Sequence, residues 1–415
     1  MKYLIFAVLS IFLVPTFRIS DIPVRIEDFF FLFIVLSSHD LLKQARISFF
    51  LTRLLWLFLI INTLSLFVNI LDGYVPVFQD LNTLFALFRN IIILWAGLVV
   101  GKSLVMSERK LLILVSIGAF YCSVVSIIQY FNLLGLGEQL YLFYGKEDNM
   151  QYGILRAIGV VSNPNYASFF QLIGLISLLC YGWPSKLSIQ IYYLATLCLI
   201  VLSIFVTYSR TGLIGILFVF IGYSLLRRNF KILAAFSVVT IIVGLISYEA
   251  IIDSRFALMV DAGGNFDLTL NGRLDAIWQK RLQELYNSLL IGNGPGKGKV
   301  SSTQFENAIY DNSYLYLLIT SGIIGTIAYL SFFYYELKYF YEIRLLSQMR
   351  SFVFIALLTG ISLIFFITTD LARDVLFNSY FYFIVGVFLN FTKSKIHNAN
   401  IPFNYHPDFE LESRN

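Results

Sequence analysis

The sequence predicts an all-α polytopic membrane protein of about 12 transmembrane helices with a large extracytoplasmic loop containing an amphipathic helix. Three observations carry that prediction. Of 415 residues, 58% are hydrophobic and only 13% are charged, whereas ordinary soluble domains are roughly a quarter charged. Apolar runs near the roughly 20 residues needed to cross about 30 Å of hydrocarbon recur along the chain. One long polar stretch, Ile251 to Asn312, interrupts them and holds more Arg, Gly and acidic residues than a connector between two spans needs.

In order, the runs are 2–17, 29–45, 49–71, 82–101, 111–133, 164–182, 188–208, 211–226, 230–250, 313–336, 351–370 and 375–391. Lys2 precedes the first run as in a signal peptide, but no small-residue cleavage site follows, so the run is expected to stay as a span. The turn Tyr208-Ser209-Arg210-Thr211-Gly212 divides the seventh run from the eighth. The whole chain, 1–415, reads as a single transmembrane domain, with outer loops at 134–163 and 251–312 and a cytoplasmic tail at 392–415.

Lysine and arginine set the expected orientation, because short cytoplasmic loops retain them. One side of a twelve-span layout collects Lys43, Arg46, Arg53, Lys102, Arg109, Lys110, Lys186, Arg227, Arg228, Lys231, Lys338, Arg344, Arg350, Lys393 and Lys395. The opposite short loops are poorer, with Arg18 and Arg25, then Arg210 alone, then Arg373 alone. Both termini are therefore expected in the cytoplasm and both long polar segments outside. The net charge of +5 follows from the same basic loop ends and calls for no nucleic acid. Cys122, Cys180 and Cys198 lie in apolar runs, and neither they nor the three histidines have metal-ligand spacing. No cofactor or metal is expected.

Within the large loop, Leu274, Ile277, Trp278, Leu282, Leu285 and Leu289 recur at helical spacing, predicting an amphipathic helix from Arg273 to Leu290 that Gly292 and Gly294-Pro295 end. Its charged flank, with Arg273, Lys280 and Glu284, is either a ligand-binding face or the solvated face of a structural lid. The following Gly292-Asn293-Gly294-Pro295-Gly296-Lys297-Gly298 lacks Walker spacing, and its glycines suit a tight turn that approaches a ligand or the bundle. Arg210 ends a span, where it either snorkels to the interface or pairs with Arg273 to hold a diphosphate through bidentate contacts. Asp311 is either a helix-start carboxylate or a general base to a sugar hydroxyl.

Together these residues resemble the O-antigen polymerase and O-antigen ligase family of bacterial multispanning glycosyltransferases. The resemblance rests on Ser162-Asn163-Pro164-Asn165-Tyr166-Ala167, Ser209-Arg210-Thr211-Gly212, Gly272-Arg273 with Trp278, Pro295 among glycines, and Asp311-Asn312-Ser313-Tyr314-Leu315 followed by Gly322 and Gly325. It covers roughly residues 155–330, and the N-terminal third matches only in hydropathy. What it implies is glycan transfer from undecaprenyl diphosphate at the outer face of the cytoplasmic membrane, without nucleotide sugar or metal. The acceptor is another lipid-linked repeat unit, or lipid A core in the ligases. A chain-length regulator protein is a possible partner. By position Arg210 and Arg273 match the family arginines assigned to the donor diphosphate, and Asp311 is the candidate base. Asn312, Asn165, Arg156, Lys280, Arg281 and Tyr314 are the candidate substrate-binding residues. Ligases of the family carry His-Asn where this chain has Asp311-Asn312, which favours a polymerase and leaves the base open, with Glu306 as the neighbouring alternative. A flippase expects ionisable residues lining a path within the spans, whereas Arg89 is almost the only such basic residue. A scaffold without activity is the remaining class.

Overall fold

The computed structural model describes residues 17–19, 22–38, 48–76, 78–104, 106–144, 150–151, 154–161, 163–228, 288–295, 312–344, 349–369 and 371–398. Helices dominate. In chain order they are α1 (Ile26–Ser37), α2 (Ser48–Leu71), α3 (Phe78–Ser103), α4 (Glu108–Phe131), α5 (Gly137–Tyr144), α6 (Pro164–Tyr181), α7 (Leu187–Val206), α8 (Arg210–Arg227), α9 (Ser313–Ile343), α10 (Met349–Thr368) and α11 (Val375–Asn398). Two small antiparallel hairpins accompany them. Strands β1 (Phe17–Ile19) and β2 (Ile22–Val24) set Phe17 opposite Val24, and β3 (Met150–Gln151) and β4 (Ile154–Leu155) set Met150 opposite Leu155.

Among the described residues, eight helices are long and apolar enough to cross a membrane: α2, α3, α4, α7, α8, α9, α10 and α11. Of the expected span 2–17 only Phe17 is described, as the first residue of β1, and the expected span 230–250 lies outside the described residues. The run at 29–45 appears as α1, whose described helix ends at Ser37. The run at 164–182 forms α6, whose composition explains its place. Asn165, Ser168, Gln171 and Ser177 dilute its apolar character, and nearly the whole helix is buried among α4, α7, α8 and α10. One of its polar contacts ties it to α4: Gln171 Nε2 donates to Ser126 Oγ at 2.8 Å. The 134–163 segment is not a plain loop, since it contains α5 and the β3–β4 hairpin.

The tightest pairing joins α3 to α11. Gly97 and Gly101, four residues apart, lie against Phe383 O and Val387 O, and Gly386 lies against Leu94 O. Small residues let the two backbones meet, as in membrane helix pairs generally. Aromatic packing among Phe169, Phe365, Phe377, Phe366 and Phe333 fills the space between α6, α9, α10 and α11.

Helix α9 is broken at Gly322, where φ is 64° and ψ is −171°. A break in a bundle strands backbone donors and acceptors, which must find partners away from water. Here the segment Ser288–Pro295 supplies them. Ile323 N and Ile324 N donate to Leu289 O at 3.0 Å and Leu290 O at 3.2 Å, while Asn293 N and Gly294 N donate to Ile319 O at 2.7 Å and Thr320 O at 3.2 Å. Gly292, at φ 83°, lies directly on the backbone of Thr320, Ser321 and Gly322. Its carbonyl accepts from Ser65 Oγ at 2.9 Å and Asn69 Nδ2 at 3.4 Å. The glycine turn thus approaches the bundle, one of the two roles expected for it. Ser288 to Ile291 is a turn, and residues 273–287 of the expected amphipathic helix lie outside the described residues.

Among the described residues, Arg89 is the one buried basic residue within a membrane-length helix, in line with the expectation, since the buried Arg25 and Arg156 lie outside such helices. Buried acids occur in them as well: Asp80, Glu108 and Glu336. Arg89 pairs with Asp28 at 3.5 Å, and Glu108 Oε1 accepts from Ser351 N. Hydropathy averages hide single charges of this kind.

Candidate functional site

The N-termini of α6, α8, α9 and α11 gather at one end of the bundle, and local sequence explains each start. Asn163 caps α6, accepting from Asn165 N at 2.8 Å, with Pro164 at the first helical position. Ser209 caps α8, accepting from Gly212 N at 3.0 Å. Asn312 caps α9, accepting from Leu315 N at 3.0 Å. Asp374 Oδ1 accepts from Phe377 N at 2.6 Å at the head of α11. Cross-links tie the four starts together. Ser209 Oγ donates to Asn165 Oδ1 at 2.9 Å. The hydroxyls of Thr211 and Thr368 are 2.5 Å apart, joining α8 to α10. Ser313 Oγ donates to Thr369 O at 2.8 Å and accepts from Ala372 N at 3.0 Å. Unpaired amides at a helix start carry partial positive charge, so converging starts form an end suited to an anion.

Arg156 is the best-anchored cation at this end. It is buried, its Nε donates to Thr207 O at 3.0 Å, and its Nη2 reaches Asn165 Oδ1 at 3.4 Å and Tyr208 O at 3.5 Å. The segment after it is pinned in turn. Ala157 N donates to Val206 O, and the buried amide of Gln129 on α4 accepts from Ile158 N and Gly159 N while donating to Gly159 O. Its guanidinium therefore braces the turn between α7 and α8 from inside. Arg210 follows that turn as the first residue of α8 and is half-buried. In this turn Tyr208 adopts a left-handed conformation, φ 48°. Burial and the hydrogen bond to Tyr130 push its phenol upward, so it remains a neutral hydroxyl at ordinary pH.

Of the sequence-derived candidates, the structure brings together Arg156, Asn165 and the start of α8 with Arg210. Asn312 heads α9 at the same end, and its side-chain oxygen is used as a cap. Tyr314 turns toward α10: its hydroxyl donates to Leu363 O at 3.0 Å and its ring packs on Phe366. Asp311, Arg273, Lys280 and Arg281 lie outside the described residues, as does Glu306. The turn motif names Tyr208, Ser209 and Thr211 without a role for each, and Thr368 at the end of α10 has no signal in the sequence; the structure gives all four side-chain contacts at this end. Among the described residues, no group of three or more His, Cys, Asp or Glu is placed to hold a metal.

Residues 194–330 match the family model described as O-antigen ligase. The match covers about a third of the chain and makes this segment similar to the O-antigen ligase family. No curated protein matches the chain. The O-antigen ligase segment runs from α7 through α8, the Gly292 turn and the break in α9, so it includes Arg210, Arg273, Asp311 and Asn312. Arg156 and Asn165 precede it. The hydrogen bonds from Arg156 to Thr207 O and from Ser209 to Asn165 join those earlier residues to the O-antigen ligase segment.

Proposed function

We propose that this protein is a glycosyltransferase that polymerises undecaprenyl-diphosphate-linked oligosaccharide repeat units at the outer face of the bacterial cytoplasmic membrane. The observation that carries the reading is the family segment at 194–330, whose Arg210 stands at the start of α8 amid converging helix N-termini. In the reaction, the acceptor sugar's hydroxyl oxygen bonds to the anomeric carbon of the donor. The bond from that carbon to the diphosphate oxygen breaks, and its electron pair leaves with the undecaprenyl diphosphate. Negative charge grows on the leaving group, and guanidinium groups with oriented amides stabilise it most where water is excluded. Arg210 and Arg273 are assigned to that charge. Asp311 is assigned to the acceptor's proton. Arg156, Asn165, Asn312, Lys280, Arg281 and Tyr314 are assigned to substrate binding, Arg156 and Asn165 by holding the α7–α8 turn.

The orientation rests on charge. Lys102, Arg109, Arg227, Arg228 and Arg350 mark the helix ends opposite Arg210, and Arg109 lies 5.8 Å over the Tyr181 ring at that far end. Basic ends face the cytoplasm, which leaves the Arg210 end outside.

A ligase is the second reading, favoured by the family model's own description as O-antigen ligase. The Asp311-Asn312 pair, in place of the His-Asn of ligases, favours the polymerase. Deleting the gene separates them. A polymerase deletion leaves single repeat units on the lipid carrier, whereas accumulation of long lipid-linked polymer means the protein acts after polymerisation. Repeat units trapped on the cytoplasmic face would indicate a flippase instead.

A further inference from the structure

Tyr208 is held where an L-residue with a bulky side chain is rarely found. Its φ of 48° lies in the left-handed region, disfavoured for residues bearing a Cβ and far more at home with glycine or asparagine. Such strain persists where surrounding structure enforces it, and it gathers at binding sites. The enforcement is visible here. Arg156 holds the carbonyls of Thr207 and Tyr208, Tyr208 N donates to Phe205 O at 2.9 Å, and Ser209 is tied to Asn165. The result sets the Tyr208 ring beside Tyr130 of α4, with centroids 5.9 Å apart and hydroxyls 2.7 Å apart. Phe131 stands edge-on to Tyr130 at 5.0 Å and is half exposed. Tyr141 closes the group from α5, its hydroxyl donating to Arg156 O at 3.1 Å.

Tyrosines at a membrane surface often form an interfacial belt, each ring reaching toward headgroups. This pair differs in three respects. Its rings come from two separate elements, its hydroxyls bond each other, and one of its members is strained to be there. The pair's chemistry also differs from a packing contact. Two phenols bring two protons and use one between them, leaving one donor and several lone pairs for a ligand's hydroxyls. Their ring faces offer flat apolar surface of the kind that covers the C–H face of a pyranose. Aromatic walls with a few placed polar groups are the usual make-up of small-molecule sites.

We infer that Tyr208 and Tyr130 form a sugar-binding wall beside Arg210, one that seats a hexose-type ring of the acceptor glycan. The inference rests on the proposed transfer function for its role, while the binding itself can be measured without transfer. Tyr208 enters the sequence reading only as a member of the turn motif, without a role, and Tyr130 lies outside both the motifs and the family segment.

The test uses the full-length protein in detergent and, as probe, the oligosaccharide repeat unit released from its lipid in the producing cells. Saturation-transfer NMR reads binding, thermal unfolding reads folding, and acceptor-dependent transfer gives kcat and KM. Tyr208→Gly removes the ring while relieving the backbone. It is expected to unfold at or above the wild-type temperature, to lose saturation transfer to the sugar ring protons, and to raise acceptor KM roughly three- to tenfold with kcat within about twofold. Tyr208→Asn, which also tolerates the left-handed region, gives the same loss, and Tyr208→Phe, which keeps the ring, loses less. Arg210→Ala keeps the sugar signal while losing transfer. Unaltered sugar binding in Tyr208→Gly and Tyr208→Asn overturns the inference, as does a fall in unfolding temperature that accounts for the lost activity in both. Sugar binding in a wild-type protein that transfers no glycan would refute the transferase reading and leave the wall standing.

Discussion

Replacing Gly322 by alanine tests the junction that sets the Gly292 turn into the bundle. At φ 64° and ψ −171° the residue occupies a region that is essentially reserved for glycine, and forcing a Cβ into it costs on the order of 1–3 kcal/mol. A Cβ there also meets the carbonyl of Leu290 and the amide of Gly292. Backbone cannot swing aside as a side-chain tip can, so the 288–295 segment must lift. Lifting it breaks the hydrogen bonds to Ile319 O, Thr320 O, Leu289 O and Leu290 O, each contributing about 0.5–1.5 kcal/mol. The sum is roughly 3–9 kcal/mol, less whatever relaxation recovers. Gly73, at φ 89° with nothing near its missing Cβ, is the control: alanine there bears backbone strain alone. Denaturant and thermal unfolding of both purified variants in one detergent give the comparison. Gly322→Ala is expected to lose several kcal/mol more than Gly73→Ala. Equal losses would mean that the break in α9 and the Gly292 turn do not support each other.

Other consequences follow from single contacts. Arg156→Lys keeps the charge but cannot serve Thr207 O, Tyr208 O and Asn165 Oδ1 together, so transfer should fall at least tenfold with a normal protein level, read by polymer length on gels. Asn312→Ala removes the α9 cap and should cost about 1 kcal/mol, measured by unfolding; Asn312→Asp should restore most of it. Asp374 is pushed up to about 6 by burial, which outweighs the opposing pull of its Phe377 amide contact and of Arg25 and Arg89, two cations that Glu27 and Asp28 also engage. A carboxyl raised in the folded state contributes stability that is present near pH 4 and lost as pH climbs through about 6. Unfolding temperature should therefore decline across that window, and Asp374→Asn should flatten the decline.

The helices were legible because hydropathy is a sum over many residues and the membrane imposes one length. Their interruptions were not. Gly322 sits in an unbroken apolar run, and nothing local says that its backbone turns. The partner of that break, Gly292, lies 30 residues earlier across a polar segment. Asn62, Ser65 and Asn69 on α2 do fall on one face at helical spacing, yet that spacing alone does not reveal a glycine turn beneath them. At the site, Arg210 was legible from its position between two greasy runs, and Asn165 from its place after Asn163-Pro164. Their connection through Ser209, and the bracing by Arg156, depends on α6 lying centrally, which no motif states. The strain at Tyr208 is equally a property of the fold.

The central claim is that Arg210 stabilises the departing diphosphate. The most direct measurement is single-turnover transfer by the purified full-length protein with lipid-linked repeat units, comparing wild type with Arg210→Ala. The account predicts a rate lowered by roughly 100- to 1,000-fold, the scale seen on losing one oriented charge-stabilising donor, with donor binding much less affected and unfolding temperature unchanged. Wild-type turnover in Arg210→Ala would contradict it.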